Sequence, residues 1–146
     1  HQIYFNNQLF QLTTVVLACA KMQLGKPYQP FASGPNSFDT MGLVKYCLKM
    51  AYVNASLPWN ATEFCKSSAN TTNITLAVPG DVVCYTRLTQ KGLKLQAAGI
   101  FNEIQKIGTV LQPKIIHVSE KALTVREKIG STNQPLDHYS VYKFFK

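Results

Sequence analysis

No apolar run in this 146-residue chain approaches the roughly 20 residues that a membrane-spanning helix needs. The longest, Val15 to Ala20, suits a core helix. Acidic residues are also scarce, with seven Asp and Glu against fifteen Lys and Arg and a formal net charge of +8. The basic residues are scattered from position 21 onward without a run, and no stripe interleaves them with aromatics. That pattern excludes nucleic acid as an expected partner. The surplus charge reads as a solvated surface, with attraction to an anionic polysaccharide or cell surface as the alternative. Gly and Pro are too few, at eight and seven, for a collagen-like or low-complexity chain. The four cysteines form no C-x-x-C pair, and the three histidines do not cluster with them. No metal or cofactor is therefore expected.

What is present describes one ordinary globular domain over 1–146, 46% hydrophobic and 11% aromatic. The chain opens on His1 rather than Met, so we expect a removed signal peptide and a secreted, extracellular protein. Four N-x-[ST] sequons fall between positions 54 and 75, at Asn54, Asn60, Asn70 and Asn73. They mark 54–76 as a surface loop expected to carry N-linked glycans. Outside the cytosol the even cysteine count implies disulfides. Three complete pairings are open for Cys19, Cys47, Cys65 and Cys84. We favour Cys47–Cys65, which would tie the sequon-rich loop to the helix before it.

Apolar spacing predicts a helix over Leu9 to Leu24, stopped by Gly25, and a second over Thr40 to Val53 with Asp39 as its N-cap. Lys26 to Asn36 reads as loop, and a short helix is expected near Thr62 to Ser67. Pro79-Gly80-Asp81 reads as a turn into a strand over Val82 to Thr86. Further strands are expected over Gln96 to Phe101, Lys114 to Ser119, Ala122 to Arg126 and Tyr139 to Phe145. Helices first and strands after suggest an α+β fold, with N-terminal helices packed on an antiparallel sheet.

Five pieces of the chain, in order and spacing, resemble the NlpC/P60 family of papain-like cysteine peptidases and amidases. They are Leu24-Gly25-Lys26-Pro27-Tyr28, the stretch from Gly34 through Phe38-Asp39-Thr40-Met41-Gly42-Leu43-Val44, and Pro79-Gly80-Asp81-Val82-Val83. Ala97-Ala98-Gly99-Ile100-Phe101 and Ile115-Ile116-His117-Val118-Ser119 complete the set. In that architecture a cysteine at a helix N-terminus attacks an acyl carbon, a histidine takes the thiol proton, and a third polar residue orients the histidine. The resemblance puts Thr40 at the nucleophile position, Ala97 at the base position and His117 at the third. Only the third keeps the family's residue type. A hydroxyl is a far weaker acid than a thiol and needs a base beside it, which Ala97 is not. The resemblance therefore implies a protein that is not an enzyme.

Tyr28, Asp39, Thr40 and His117 would line what remains of the cleft. Tyr28 is equally readable as a packing aromatic, and His117 as a strand histidine. The leading functional expectation is a structural subunit of an extracellular assembly or matrix, self-associating through an N-terminal arm over residues 1–8 or joining another extracellular protein. The alternative is a non-catalytic binding module for peptidoglycan, a muropeptide or another cell-surface ligand. An amidase acting through Thr40 ranks last.

Overall fold

Leu12, Thr13, Val16, Cys19 and Ala20 recur at helical spacing, and all five are buried on one face of helix α1, Leu12–Met22. The computed structural model describes residues 2–5, 8–66, 71–88, 91–130 and 136–145. The expected start at Leu9 is corrected. Strand β1 (Gln2–Phe5) pairs antiparallel with β2 (Gln8–Gln11), and α1 begins directly after β2. Ile3, Tyr4, Phe5 and Phe10 are residue types that favour strands, and the local hairpin ladder wins over one more helical turn.

Helix α2, Thr40–Met50, starts where expected. Asp39 is extended, and its Oδ1 accepts the Gly42 amide at 2.6 Å while Oδ2 accepts the Phe31 amide at 2.9 Å. Such a cap contributes about 1 kcal/mol. The helix buries Met41, Leu43, Val44, Cys47 and Leu48. Gly42 is required by packing, since a Cβ there would collide with the Ala32 carbonyl oxygen. Helix α3, Ala61–Lys66, is capped by Asn60, whose Oδ1 accepts the Thr62 amide at 2.7 Å.

The remaining strands are β3 (Thr71–Asn73), β4 (Val82–Leu88), β5 (Lys94–Ile107), β6 (Val110–Ser119), β7 (Thr124–Ile129) and β8 (Ser140–Tyr142). They form one antiparallel sheet in the order β3-β8-β4-β5-β6-β7. The expected α+β arrangement is therefore present. Its strands were underestimated, because β5 and β6 run on as a largely exposed hairpin turning at Gly108, φ 62°. The expected strand over Tyr139 to Phe145 shrinks to its first half, and Ala122 and Leu123 belong to the turn before β7.

Alternation sorts the sheet residues between two apolar layers. Val82, Cys84, Ala98, Ile100, Ile116, Val118 and Val125 pack with the helices. Val83, Tyr85, Ala97, Phe101 and Ile115 face the other way, with Ile74, Tyr139 and Val141. The disulfides are Cys19–Cys47 and Cys65–Cys84, with Cα separations of 5.4 and 5.9 Å. The expected Cys47–Cys65 pairing is thus corrected. Cys47 lies on the α2 face that packs on α1, so its neighbour is Cys19. Cys65 on α3 meets Cys84 on β4 instead. Among the described residues no helix is long and apolar enough to cross a membrane.

Candidate functional site

The loop between α1 and α2 is laced to the far end of the sheet. The Gly25 amide donates to the Val125 carbonyl at 2.8 Å, the Val125 amide to Lys26 at 2.8 Å, and the Tyr28 amide to Leu123 at 3.0 Å. This lacing brings the start of α2 to the ends of β6 and β7, and a cavity of about 140 Å³ lies there. Thr40, Ala97 and His117 all line it. Three residues that the sequence pattern singled out separately therefore meet in one place. Tyr28 and Asp39 do not line the cavity. Asp39 spends both carboxylate oxygens on the cap and loop amides. Burial raises its pKa despite the backbone bonds from Gly42 and Phe31 that favour its anion. Tyr28 is half-buried, and its pKa rises by burial first, then through Glu120 and Asp39.

The register explains the other walls. Tyr85 of β4 stands opposite Ala97 of β5, and His117 of β6 opposite Arg126 of β7. Residues two apart share a face, so Arg87 joins Tyr85, and Lys128 joins Arg126. All line the same cavity. The Lys128 ammonium sits 4.4 Å from the centre of the Tyr85 ring, and the Tyr85 and His117 rings meet edge-on at 6.4 Å. Arg87 pairs with Glu120 at 3.1 Å. The pattern pointed to none of these flanking groups, because the ladder register that gathers them is not a local property of the chain.

The field in the cavity is positive. Burial, then Lys128, Arg126 and Arg87, pushes the His117 pKa down to about 3. Burial and the two arginines also lower Lys128. Burial holds the Tyr85 hydroxyl well above the ordinary phenol range. His117 is therefore neutral near pH 7 and a very weak base, far from the near-neutral pKa that proton abstraction favours. Thr40 has no ionisable group at position 97 to take its proton. No thiol is left to replace it, because all four cysteines are in disulfides.

No protein-family model matches the chain, and no curated protein matches it. Among solved structures it is similar to NlpC1 from Trichomonas vaginalis, at 14% identity and a TM-score of 0.66, over 98% of this chain and 54% of that one. It is also similar to NlpC2 from the same organism, at 16% identity and a TM-score of 0.63, over 97% of this chain and 53% of that one. The chain thus spans about half the length of these relatives. With near-complete coverage of this chain and the expected order of helices and strands, the domain has an NlpC/P60-like fold.

Proposed function

We propose that this chain is a secreted, N-glycosylated NlpC/P60-like protein that no longer cleaves bonds and uses its former cleft for binding. The observation that carries this reading is the meeting of Thr40, Ala97 and His117 in one cavity that holds no thiol. Its remaining imidazole is kept neutral by burial and three neighbouring cations. A hydroxyl nucleophile without a base loses several orders of magnitude in rate.

Two disulfides support an oxidising compartment. The sequons support glycosylation, since Asn54, Asn60 and Asn73 are exposed. Asn73 Oδ1 accepts the Thr75 amide at 2.9 Å and the Thr75 hydroxyl at 3.0 Å, which leaves its Nδ2 for a glycan. Asn70 lies outside the described residues.

The test pairs turnover with retention. Labelled muropeptides incubated with the protein should stay intact, and purified peptidoglycan should retain the parent protein more than a Thr40→Trp variant, whose added bulk fills the cavity that Thr40 lines. Hydrolysis abolished by Thr40→Ala would overturn the loss of catalysis, and an unretained parent protein would end the muropeptide alternative.

A structural role in an extracellular assembly is a second reading. It is favoured by the β1–β2 hairpin, a two-stranded sheet separate from the main one whose outer edges have no partner strand among the described residues. The arm expected over 1–8 then acts through strand β1 and its pairing with β2. An oligomeric state unchanged by deleting 1–8, measured by light scattering, removes this reading.

A further inference from the structure

We propose that the cavity between α2 and the end of the sheet is a binding site for an oxyanion group, a carboxylate, sulfate or phosphate, held by Arg87, Arg126, Lys128 and the Tyr85 hydroxyl. This deepens the binding reading above and rests on it.

Four observations converge. The cavity is walled by the side chains of Arg87, Lys121, Arg126 and Lys128, against the single carboxylate of Glu120. Glu120 is committed to Arg87 at 3.1 Å, and among the described residues Arg126 and Lys128 form no ion pair. Burial and the neighbouring arginines disfavour the charged form of Lys128, and a bound anion would offset that cost.

Tyr85 is 2% exposed, lines the cavity, and its hydroxyl has no hydrogen-bond partner among the described residues. A buried donor left unmade is costly, and an oxyanion is the acceptor that the surrounding charge would bring to it. The buried Nε2 of His117 is likewise unpartnered there.

The first turn of α2 reaches the same cavity through Thr40. Its remaining amide ends, beside the Gly42 amide that Asp39 Oδ1 already accepts, add partial positive charge, and helix N-termini favour anions. Size points to a group rather than a whole ligand, since about 140 Å³ is close to the roughly 150 Å³ of a cavity that takes one benzene ring. The anion is thus a free small ion or the charged terminus of a larger molecule.

His117 gives the site a signature. Lys128 and Arg126 face it from β7, Tyr85 and Arg87 from β4, and Thr40 from α2, with Glu120 and Lys121 just beyond β6. An anion among these groups favours the imidazolium, so binding raises the His117 pKa and tightens as pH falls.

The experiment titrates the glycosylated, disulfide-intact protein with sodium acetate, sulfate and phosphate in separate arms, at constant ionic strength set by chloride. NMR follows the His117 ring and the Tyr85 amide. At least one arm should saturate at pH 6, with the His117 pKa moving upward, and the arm that binds best identifies the class of oxyanion. Tyr85→Phe should weaken that binding about tenfold, the value of one lost hydrogen bond to a charged group. It should also raise the melting temperature of the anion-free protein, a combination that a purely structural tyrosine would not give. Arg126→Gln with Lys128→Gln should abolish saturation, while Lys45→Gln, whose ammonium lies on Trp59 instead, should not alter it. Non-saturating shifts in every arm overturn the inference, as does binding that survives the double substitution. Muropeptide hydrolysis followed on the same sample separates the two readings. Turnover overturns the loss of catalysis, whereas absent anion binding without turnover overturns the oxyanion site alone.

Discussion

His117 stands directly across the β6–β7 ladder from Arg126. Burial first, and then the nearby Lys128, Arg126 and Arg87, push the His117 pKa down to about 3. The unfolded chain takes up the same proton at about 6.5. Between these values the unfolded state binds more protons than the folded one, so stability falls as pH drops through that window and is undiminished above it. The loss from this one group should reach up to about 1.4 kcal/mol per pH unit. Urea unfolding from pH 7 to pH 4 should therefore show a steeper loss for the parent than for His117→Gln. Parallel curves would remove His117 as the origin.

The closing segment of the chain is anchored by a different pair. Asp81 Oδ2 meets Lys143 Nζ at 2.6 Å, and the carboxylate is 1% exposed. The same oxygen accepts the Val78 amide at 2.8 Å, and Lys143 also donates to the Leu76 carbonyl at 3.0 Å. Lys143→Met strands a buried carboxylate and should cost about 3 kcal/mol. Asp81→Asn with Lys143→Met should cost less than the two single changes added together. Strict additivity in chemical denaturation would show that the pair is not coupled.

Much of this architecture was readable from short-range signals, because those signals act at short range. Asp39 before Thr40 announces a helix start, and the cap bond to Gly42 is made within four residues. Pro79-Gly80-Asp81 announces a turn, and Gly80 does adopt φ 100°. The failures are all non-local. Leu9 sits in a pattern that suits helix or strand, and only the partner Tyr4 across the hairpin decides it. Cys47 was matched to the nearer loop cysteine, whereas helix packing matches it to Cys19. Thr40, Ala97 and His117 were legible through a family resemblance. Arg87, Arg126 and Lys128 were not, because only the ladder register carries them into the same cavity.

Gly42 offers a sharp test of the α2 entry. A methyl group there meets the Ala32 carbonyl oxygen and Asp39 Oδ1, and a backbone atom cannot swing aside as a flexible side chain can. Gly42→Ala should cost about 1–3 kcal/mol, the usual range for overpacking. It should also disturb the Asp39 cap, seen as faster hydrogen exchange in the first turn of α2. Unchanged stability would mean that the loop yields freely.

The two disulfides should behave as independent staples. Cys19–Cys47 and Cys65–Cys84 close loops of 28 and 19 residues, and each should be worth about 3 kcal/mol through the entropy it removes from the unfolded chain. Peptide mapping without reduction should recover the fragments joined in these two pairs. A fragment joining Cys47 to Cys65 would contradict the packing of α2 on α1.

The electrostatic character of the cavity can be read with a reporter thiol. Thr40→Cys places sulfur at the first residue of α2, where the helix end favours an anion. Arg87, Arg126 and Lys128 line the cavity it joins. Each of these influences stabilises a thiolate, so alkylation by iodoacetamide should titrate well below the usual thiol midpoint of about 8.5. Adding Lys128→Gln should move that midpoint back up. Hydrolysis of an amide should still not follow, because position 97 supplies no base and His117 is too weakly basic to serve. A reporter thiol that titrates at its ordinary midpoint would mean that the cations do not reach position 40, and the case for an anion held between α2 and the sheet would fall with it.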